Sequence, residues 1–257
     1  MLLIDKYAYF NRLKQIHPVE KVSLALSLLF FSLAVKDPFV SIATFSVMSG
    51  FIILGAKIPI TYYIKLLLLP SLFLVSGIIP VLISVASYEA AIPNQLWSVS
   101  IGDWKFFINQ HNATKAVQLF FSAFSSISCL YFLILTTPVY DILQILRKLK
   151  LPGLLIEVME ITYRFIFVLL ETASQINQTQ NSRLGYRTGK LWLNSISLLI
   201  SALFIAVIKR SKELTSALES RAYKNEIHYA GDDYKLSTVN WLVISVILAV
   251  IFIIYLI

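Results

Sequence analysis

The chain has little of what most catalytic and redox sites are built from. A single cysteine, Cys129, excludes an intramolecular disulfide framework. The three histidines, His17, His111 and His228, fall in three separate segments, and no His/Cys/Asp/Glu cluster has the spacing of a metal site. HExxH, GxSxG and phosphate-loop motifs are all missing. No catalytic residue, metal ligand or cofactor site is therefore assigned. Charge is scarce as well. Asp, Glu, Lys and Arg make up 14% of the residues against 58% hydrophobic ones, and the mean hydropathy is +0.76. That balance excludes an ordinary soluble domain.

What the chain does have is apolar runs long enough to cross ~30 Å of hydrocarbon. Five spans are expected, at Val22–Val35, Phe39–Ala56, Leu66–Ser87, Ala116–Thr137 and Val239–Ile257, and none contains a charged residue. Pro70 and Pro80 are expected to kink the third. A channel or carrier normally lines its pathway with ionisable groups, and these spans offer none. The net charge of +8 is read as membrane orientation, not nucleic-acid binding. Lys6, Arg12, Lys14 and Lys21 precede the first span, Lys57 and Lys65 lie in the second connection, and only Lys105 lies within 88–114. The N-terminus, the 57–65 loop and the 138–238 region are accordingly expected in the cytoplasm. The irregular 88–114 loop, with Trp97 and Trp104 at the interface, and the C-terminus are expected outside. A polar, aromatic segment, Met1–Pro18, is expected to lie at the membrane surface, with no cleavable signal peptide.

Charge is concentrated in one block. Residues 137–235 hold 13 of the 22 Lys+Arg and 9 of the 14 Asp+Glu. Within it Val139–Leu149 reads as a short amphipathic helix, ended by Leu151-Pro152-Gly153. A longer helix is expected from Leu154 to about Arg183. On a 100° wheel, Glu157, Glu160, Arg164, Glu171, Gln175, Gln178 and Ser182 fall within about 60° of one another. Glu160 and Arg164 stand at i,i+4, so an ion pair is available. A membrane span over Leu154–Leu170 is disfavoured. It would bring Glu157, Glu160 and Arg164 into the bilayer at roughly 2.5–3.5 kcal/mol each at its centre.

Gly185 and Gly189 are expected to break the helix, with a left-handed cap. A second long helix, apolar over Trp192–Arg210 with Asn194, Ser197 and Ser201 on one face, continues to Arg221. The pair is expected to form a hairpin that sits partly in the membrane, followed by a polar linker, Asn225–Ser237. The fold class expected is an all-α integral membrane protein of about five transmembrane helices plus long amphipathic cytoplasmic helices. Its regions are 1–137, 138–238 and a C-terminal span at 239–257.

The positive signal is a repeated ending. Ser182-Arg183-Leu184-Gly185 and Ser220-Arg221-Ala222 each put an arginine at a helix C-terminus, 38 residues apart. There it complements the helix dipole and offers a planar five-donor group to an acidic groove on a partner.

At these residues the chain resembles the transmembrane T component of energy-coupling factor (ECF) transporters, of the cobalt type called CbiQ. The resemblance covers nearly the whole chain. It begins with Ile4-Asp5-Lys6-Tyr7-Ala8-Tyr9, Asn11-Arg12-Leu13 and His17-Pro18-Val19-Glu20-Lys21. It continues through Leu151-Pro152, Tyr163-Arg164-Phe165-Ile166-Phe167 and Ser182-Arg183-Leu184-Gly185-Tyr186. The two Ser-Arg pairs are similar to the family's Ala-Arg-Gly-like motifs. Here Leu184 precedes Gly185, and Ala222 stands where glycine is usual, which puts a left-handed cap at the second tip in doubt.

The resemblance implies a non-enzymatic scaffold in a prokaryotic plasma membrane. Ser182, Arg183, Gly185, Ser220, Arg221 and Ala222 would dock two cytoplasmic ATPase subunits of the CbiO type. The polar face with Glu157, Glu160, Arg164 and Glu171 would belong to a coupling helix. Cobalt would bind a separate CbiM-type membrane subunit with a small CbiN-type partner. A nickel importer's T component and an autonomous carrier or channel are the competing readings. No catalytic set supports an intramembrane enzyme.

Overall fold

A computed structural model describes residues 3–87, 95–101, 104–222, 234 and 236–256. Helix α1 (Leu3–Phe10) and a 3-10 turn (Arg12–Gln15) lead into α2 (Pro18–Val35). Next come α3 (Pro38–Gly50), which runs on through a π turn (Phe51–Gly55), and α4 (Ile60–Leu82). Three strands follow, β1 (Ser84–Ser87), β2 (Gln95–Ile101) and β3 (Trp104–Asn109), and then α5 (Gln110–Thr136) and α6 (Val139–Lys148). The long helices α7 (Gly153–Ser182) and α8 (Gly189–Ser220) precede α9 (Thr238–Leu256).

Local chemistry explains where these helices start and stop. Pro18 and Pro38 open α2 and α3, where a missing N–H costs nothing. His17 Nδ1 accepts from the Val19 amide at 3.1 Å, and Asp37 Oδ1 from the Phe39 amide at 3.0 Å. Lys36 (φ 51°), Lys57 (55°), Lys150 (61°), Leu184 (58°) and Ala222 (53°) lie in the left-handed region, each just past a helical segment. Among the described residues left-handed termination thus recurs and is carried by residues other than glycine, whereas α4 and α5 end in extended residues, Ile83 and Thr137.

The chain divides into two compact units, residues 2–139 with 233–257, and Tyr140–Asp232. In the first, α5 is the central helix and packs on α1, α2, α3 and α4. Small buried side chains let the helices approach closely: Ser122, Ser125, Ser128 and Cys129 on α5, Ser32 on α2, and Ser41 and Thr44 on α3. Ser32 Oγ donates to Ser125 Oγ at 3.2 Å, and the Tyr63 hydroxyl lies between Ser49 Oγ (2.9 Å) and Ser128 Oγ (3.1 Å). Leu28, Val40, Met48, Ile52, Phe132 and Leu135 fill the core around them.

Among the described residues six helices are long and apolar enough to cross a membrane, and the protein is an all-α multi-pass membrane protein. Five overlap the expected spans. The sixth is α8, which the sequence reading placed only partly in the membrane. Its run from Leu191 to Ile208 carries no charge, and its cations, Lys209, Arg210 and Lys212, come after it.

Helix boundaries differ in two telling ways. The third span ends at Leu82, because 84–87 turns into a strand of a small antiparallel sheet, order β1-β3-β2. Within the 88–114 connection, Gln95–Ile101 and Trp104–Asn109 are therefore strands, where an irregular loop was expected. Trp97 is exposed there, and the side chain of Trp104 lies outside the described residues. Helix α2 begins at Pro18, beyond the N-terminal limit of the expected span, so Glu20 and Lys21 lie inside the helix and are 1% and 3% exposed.

Those two residues belong to a polar knot at one end of the first unit. Asn11 Nδ2 donates to the Ala8 carbonyl at 2.7 Å and reaches the Leu135 and Thr136 carbonyls at 3.4 and 3.3 Å. Lys21 Nζ donates to the Thr136 carbonyl at 2.9 Å. Glu20 accepts from the Ser237 amide at 2.9 Å and from Asn240 Nδ2 at 2.6 Å. The segment expected to lie on the membrane surface is thereby fastened to the C-terminal end of α5. Of the expected linker Asn225–Ser237, most lies outside the described residues.

Candidate functional site

The two Ser-Arg pairs end α7 and α8 with closely matching backbone angles. Arg183 is the C-cap of α7 at φ −94°, ψ 14°, and Arg221 is the C-cap of α8 at φ −98°, ψ 13°. The next residue at each tip is left-handed, Leu184 or Ala222. The Leu184 amide donates to the Asn181 carbonyl and the Ala222 amide to the Glu219 carbonyl, both at 3.0 Å. Each serine hydroxyl turns back onto its own helix, Ser182 to Gln178 at 3.0 Å and Ser220 to Ser216 at 2.8 Å. Arg183 and Arg221 are exposed, and neither is paired with a carboxylate among the described residues.

The expected cap is corrected at both ends. At the first tip the left-handed residue is Leu184, not Gly185. At the second, Ala222 adopts the conformation that its side chain put in doubt. Gly189 does not end α7; it opens α8, with Thr188 Oγ1 accepting from the Leu191 amide.

Gly185 serves a different purpose. Its amide donates to the Gln180 carbonyl at 2.9 Å, which completes the two-bond helix-ending motif begun by Leu184. A Cβ there would stand 2.6 Å from Ser195 Oγ and 3.0 Å from the Gln180 carbonyl oxygen. Ser195 Oγ fills that space and donates to the Gly185 carbonyl at 2.8 Å. Gln180 Nε2 donates to the Ser195 carbonyl at 2.9 Å, and the Tyr186 hydroxyl donates to Gln180 Oε1 at 2.6 Å. Sequence reasoning missed Gln180 and Ser195. A buried serine beside the expected Asn194/Ser197 face carries no signal of its own until the helices are paired.

The expected polar face of α7 is split. Arg164 and Glu171 are exposed, as are Gln175, Gln178 and Ser182, but Glu157 and Glu160 are buried. The charged neighbours that act on Glu160 are Arg147 of α6 and Glu157, not Arg164. Burial pushes the Glu160 carboxyl above the usual range; Arg147 opposes that rise and Glu157 adds to it. Its Oε2 has no hydrogen-bond partner. Among the described residues no group of three His, Cys, Asp or Glu side chains could hold a metal ion.

Comparison with known proteins places this architecture. A sequence model of the CbiQ family, described as cobalt transport protein, matches residues 11–229. The chain belongs to the CbiQ family of cobalt transport proteins.

The match covers both arginine tips and the Gly185–Ser195 corner, and stops before α9. The CbiQ cobalt transport protein of Rhodobacter capsulatus is 30% identical over 87% of this chain and 85% of its own length. The CbiQ protein of Salmonella typhimurium is 24% identical over 88% of this chain and 98% of its own. A putative fused cobalt transport protein CbiMQ of Methanocorpusculum labreanum is 26% identical over 97% of this chain, which covers 41% of that longer protein. As a CbiQ family member the chain is a membrane component of cobalt transport.

Proposed function

We propose that this CbiQ family member is the coupling (T) component of an ECF-type importer of Co2+. It works as a non-catalytic scaffold in the plasma membrane with its N-terminus and residues 138–238 in the cytoplasm. Arg183 and Arg221, with Ser182, Gly185, Ser220 and Ala222 shaping their tips, dock two cytoplasmic ATPase subunits of the CbiO type. A separate CbiM-type membrane subunit, with a small CbiN-type partner, binds the metal. Residues 1–137 and 239–257 form the membrane body, and 138–238 is the coupling region. Glu157, Glu160, Arg164 and Glu171 belong to its first long helix.

The observation that carries the reading is the duplication of the tips. Two helix ends share backbone angles, the i−3 amide bond, the serine back-bond and an exposed arginine with no carboxylate partner among the described residues. Two like surfaces on one chain suit two copies of one partner, and a guanidinium at an exposed helix end suits an acidic groove. A relative described as a fusion of CbiM and CbiQ supports a CbiM-type neighbour. The polar groups buried in the first unit do not argue for an ion pathway. Glu20 and Lys21 are consumed by bonds that hold helices together.

The test is charge reversal. Arg183→Glu combined with Arg221→Glu is expected to abolish co-purification of the ATPases while the protein still inserts; an undiminished pull-down overturns the assignment of the tips. Metal uptake by vesicles containing this chain alone would favour an autonomous carrier. Competition between Co2+ and Ni2+ in the full complex separates the cobalt reading from a nickel importer.

A further inference from the structure

The two tips share a backbone ending, but the first carries a side-chain lock that ties it to the next helix. Gln180, one turn before Arg183, is held from both sides. Its Nε2 donates to the Ser195 carbonyl at 2.9 Å, and its Oε1 accepts from Tyr186 at 2.6 Å. Ser195, 7% exposed and in the second turn of α8, returns a bond to the Gly185 carbonyl at 2.8 Å. Three side chains thus cross-link the end of α7, the connecting turn and α8. Glycine at 185 is what lets Ser195 Oγ approach, since a Cβ there would lie 2.6 Å from it. Ser195 is the buried residue of α8, whose other polar side chains in that region, Asn194 and Ser197, face outward.

A hairpin turn that only connected two helices would not require this. A turn of six residues between long helices is an easy place for displacement to be absorbed, because local opening draws on the least-bonded segments. The bonds from Gln180 and Ser195 remove that compliance where Arg183 is presented.

We propose that Gln180, Ser195 and Tyr186 are positioning residues that make the α7–α8 corner a rigid joint. A displacement applied at Arg183 by an ATPase subunit then moves α8 as one body and is not lost in the turn. This rests on the docking role proposed for Arg183. It gives the lock a part in transmission, separate from ATPase binding.

The experiment uses the full complex reconstituted in lipid vesicles, with Ser195→Ala and Tyr186→Phe as variants and Ser195→Thr as the conservative control. ATPase content, ATP turnover and Co2+ uptake are measured together. Loss of one such bond is expected to raise the open population of the turn about fivefold. That reads out as faster hydrogen exchange at the Leu184 and Gly185 amides, with the Ala222 amide unchanged. The expected result is that both variants keep their ATPases and hydrolyse ATP, but move several-fold less metal per ATP, and that Ser195→Thr restores the ratio. An unchanged uptake-to-ATP ratio overturns the proposal, and so does loss of the ATPases in the Ser195→Ala complex. Failure of the docking role itself is seen separately, as normal ATPase retention in the Arg183→Glu, Arg221→Glu protein.

Discussion

Glu20 is expected to be the single most costly polar residue to remove from the first unit. The residue is 1% exposed, and its carboxylate accepts two bonds from the start of α9, from the Ser237 amide at 2.9 Å and from Asn240 Nδ2 at 2.6 Å. Ser237 occupies the N-cap position, since its carbonyl accepts from the Trp241 amide at 3.3 Å. In a capping box the helix's own Glu or Gln bonds the N-cap amide. Here α2 supplies that carboxylate to α9, where it also complements the dipole. The buried residues of α9 are Ile244 and Ile251, both beyond its first turn. Hydrogen bonds to a charged group contribute roughly 1.5–3 kcal/mol each, and a stranded part-buried donor costs about 1–3 kcal/mol. Glu20→Ala is therefore expected to loosen the α2–α9 junction by about 3 kcal/mol. In micelles or nanodiscs, amide exchange over the first turn of α9 should accelerate about a hundredfold. Glu20→Gln keeps one acceptor and should lie about halfway on a logarithmic scale. Protection in Glu20→Ala within threefold of wild type would refute the trans-capping argument.

Three further outcomes follow from the second unit. Ala222→Gly removes the Cβ from a left-handed residue at φ 53°. It should stabilise the end of α8 by about 0.5–1 kcal/mol, after allowing for glycine's greater freedom when unfolded, and slow exchange at that tip. Gly185→Ala forces a Cβ to 2.6 Å from Ser195 Oγ and should destabilise the corner by about 1–3 kcal/mol. In a Ser195→Gly background part of that loss should be recovered, and a strictly additive double mutant would contradict the steric reading. Glu160 has a folded-state pKa raised by burial, so the folded protein binds the extra proton between the ordinary carboxylate value and the raised one. Stability is then expected to fall as pH rises through that window. Glu160→Gln should flatten that slope in pH-dependent unfolding; an unchanged slope would show that another group is responsible.

Much of this was legible from composition and period. The apolar runs marked five membrane helices, the 100° periodicity marked α6 and α7, and the repeated Ser-Arg marked both tips. What was not legible has a common cause: it depends on partners distant in sequence. Lys21 and Thr136, or Glu20 and Asn240, carry no local pattern that joins them. The wheel placed Glu157 and Glu160 with Arg164 because it measures azimuth alone, and burial varies along the axis as well. The caps were misread for a different reason. Left-handed termination was assigned to glycine by propensity, which is only about 1–2 kcal/mol per residue. A completed helix-ending motif outweighs that at Leu184 and leaves Gly185 free for the approach of Ser195.

The two units differ in how they use polar atoms. In the first, buried hydroxyls, Asn11, Glu20 and Lys21 tie α1, α2, α5 and α9 to one another, and apolar side chains fill the space between. Such an arrangement has one good packing, because a displaced helix would strand several polar groups at once. In the second, α8 buries Ser195 and leaves Leu193, Leu198, Ile200, Phe204 and Ile205 more than half exposed. A helix of this length draws most of its stability from what covers its apolar surface. Its apolar face takes part in none of the side-chain hydrogen bonds described for the corner, so what covers that face can be exchanged without breaking them. In the coupling role proposed above, such a helix would have to change neighbours during the cycle, which an apolar face not committed to internal bonds permits. Docking at Arg183, as proposed, would also call for one stiff point where α7 passes into α8. The bonds among Gln180, Tyr186, Gly185 and Ser195 stand beside Arg183, the docking point proposed for the first tip.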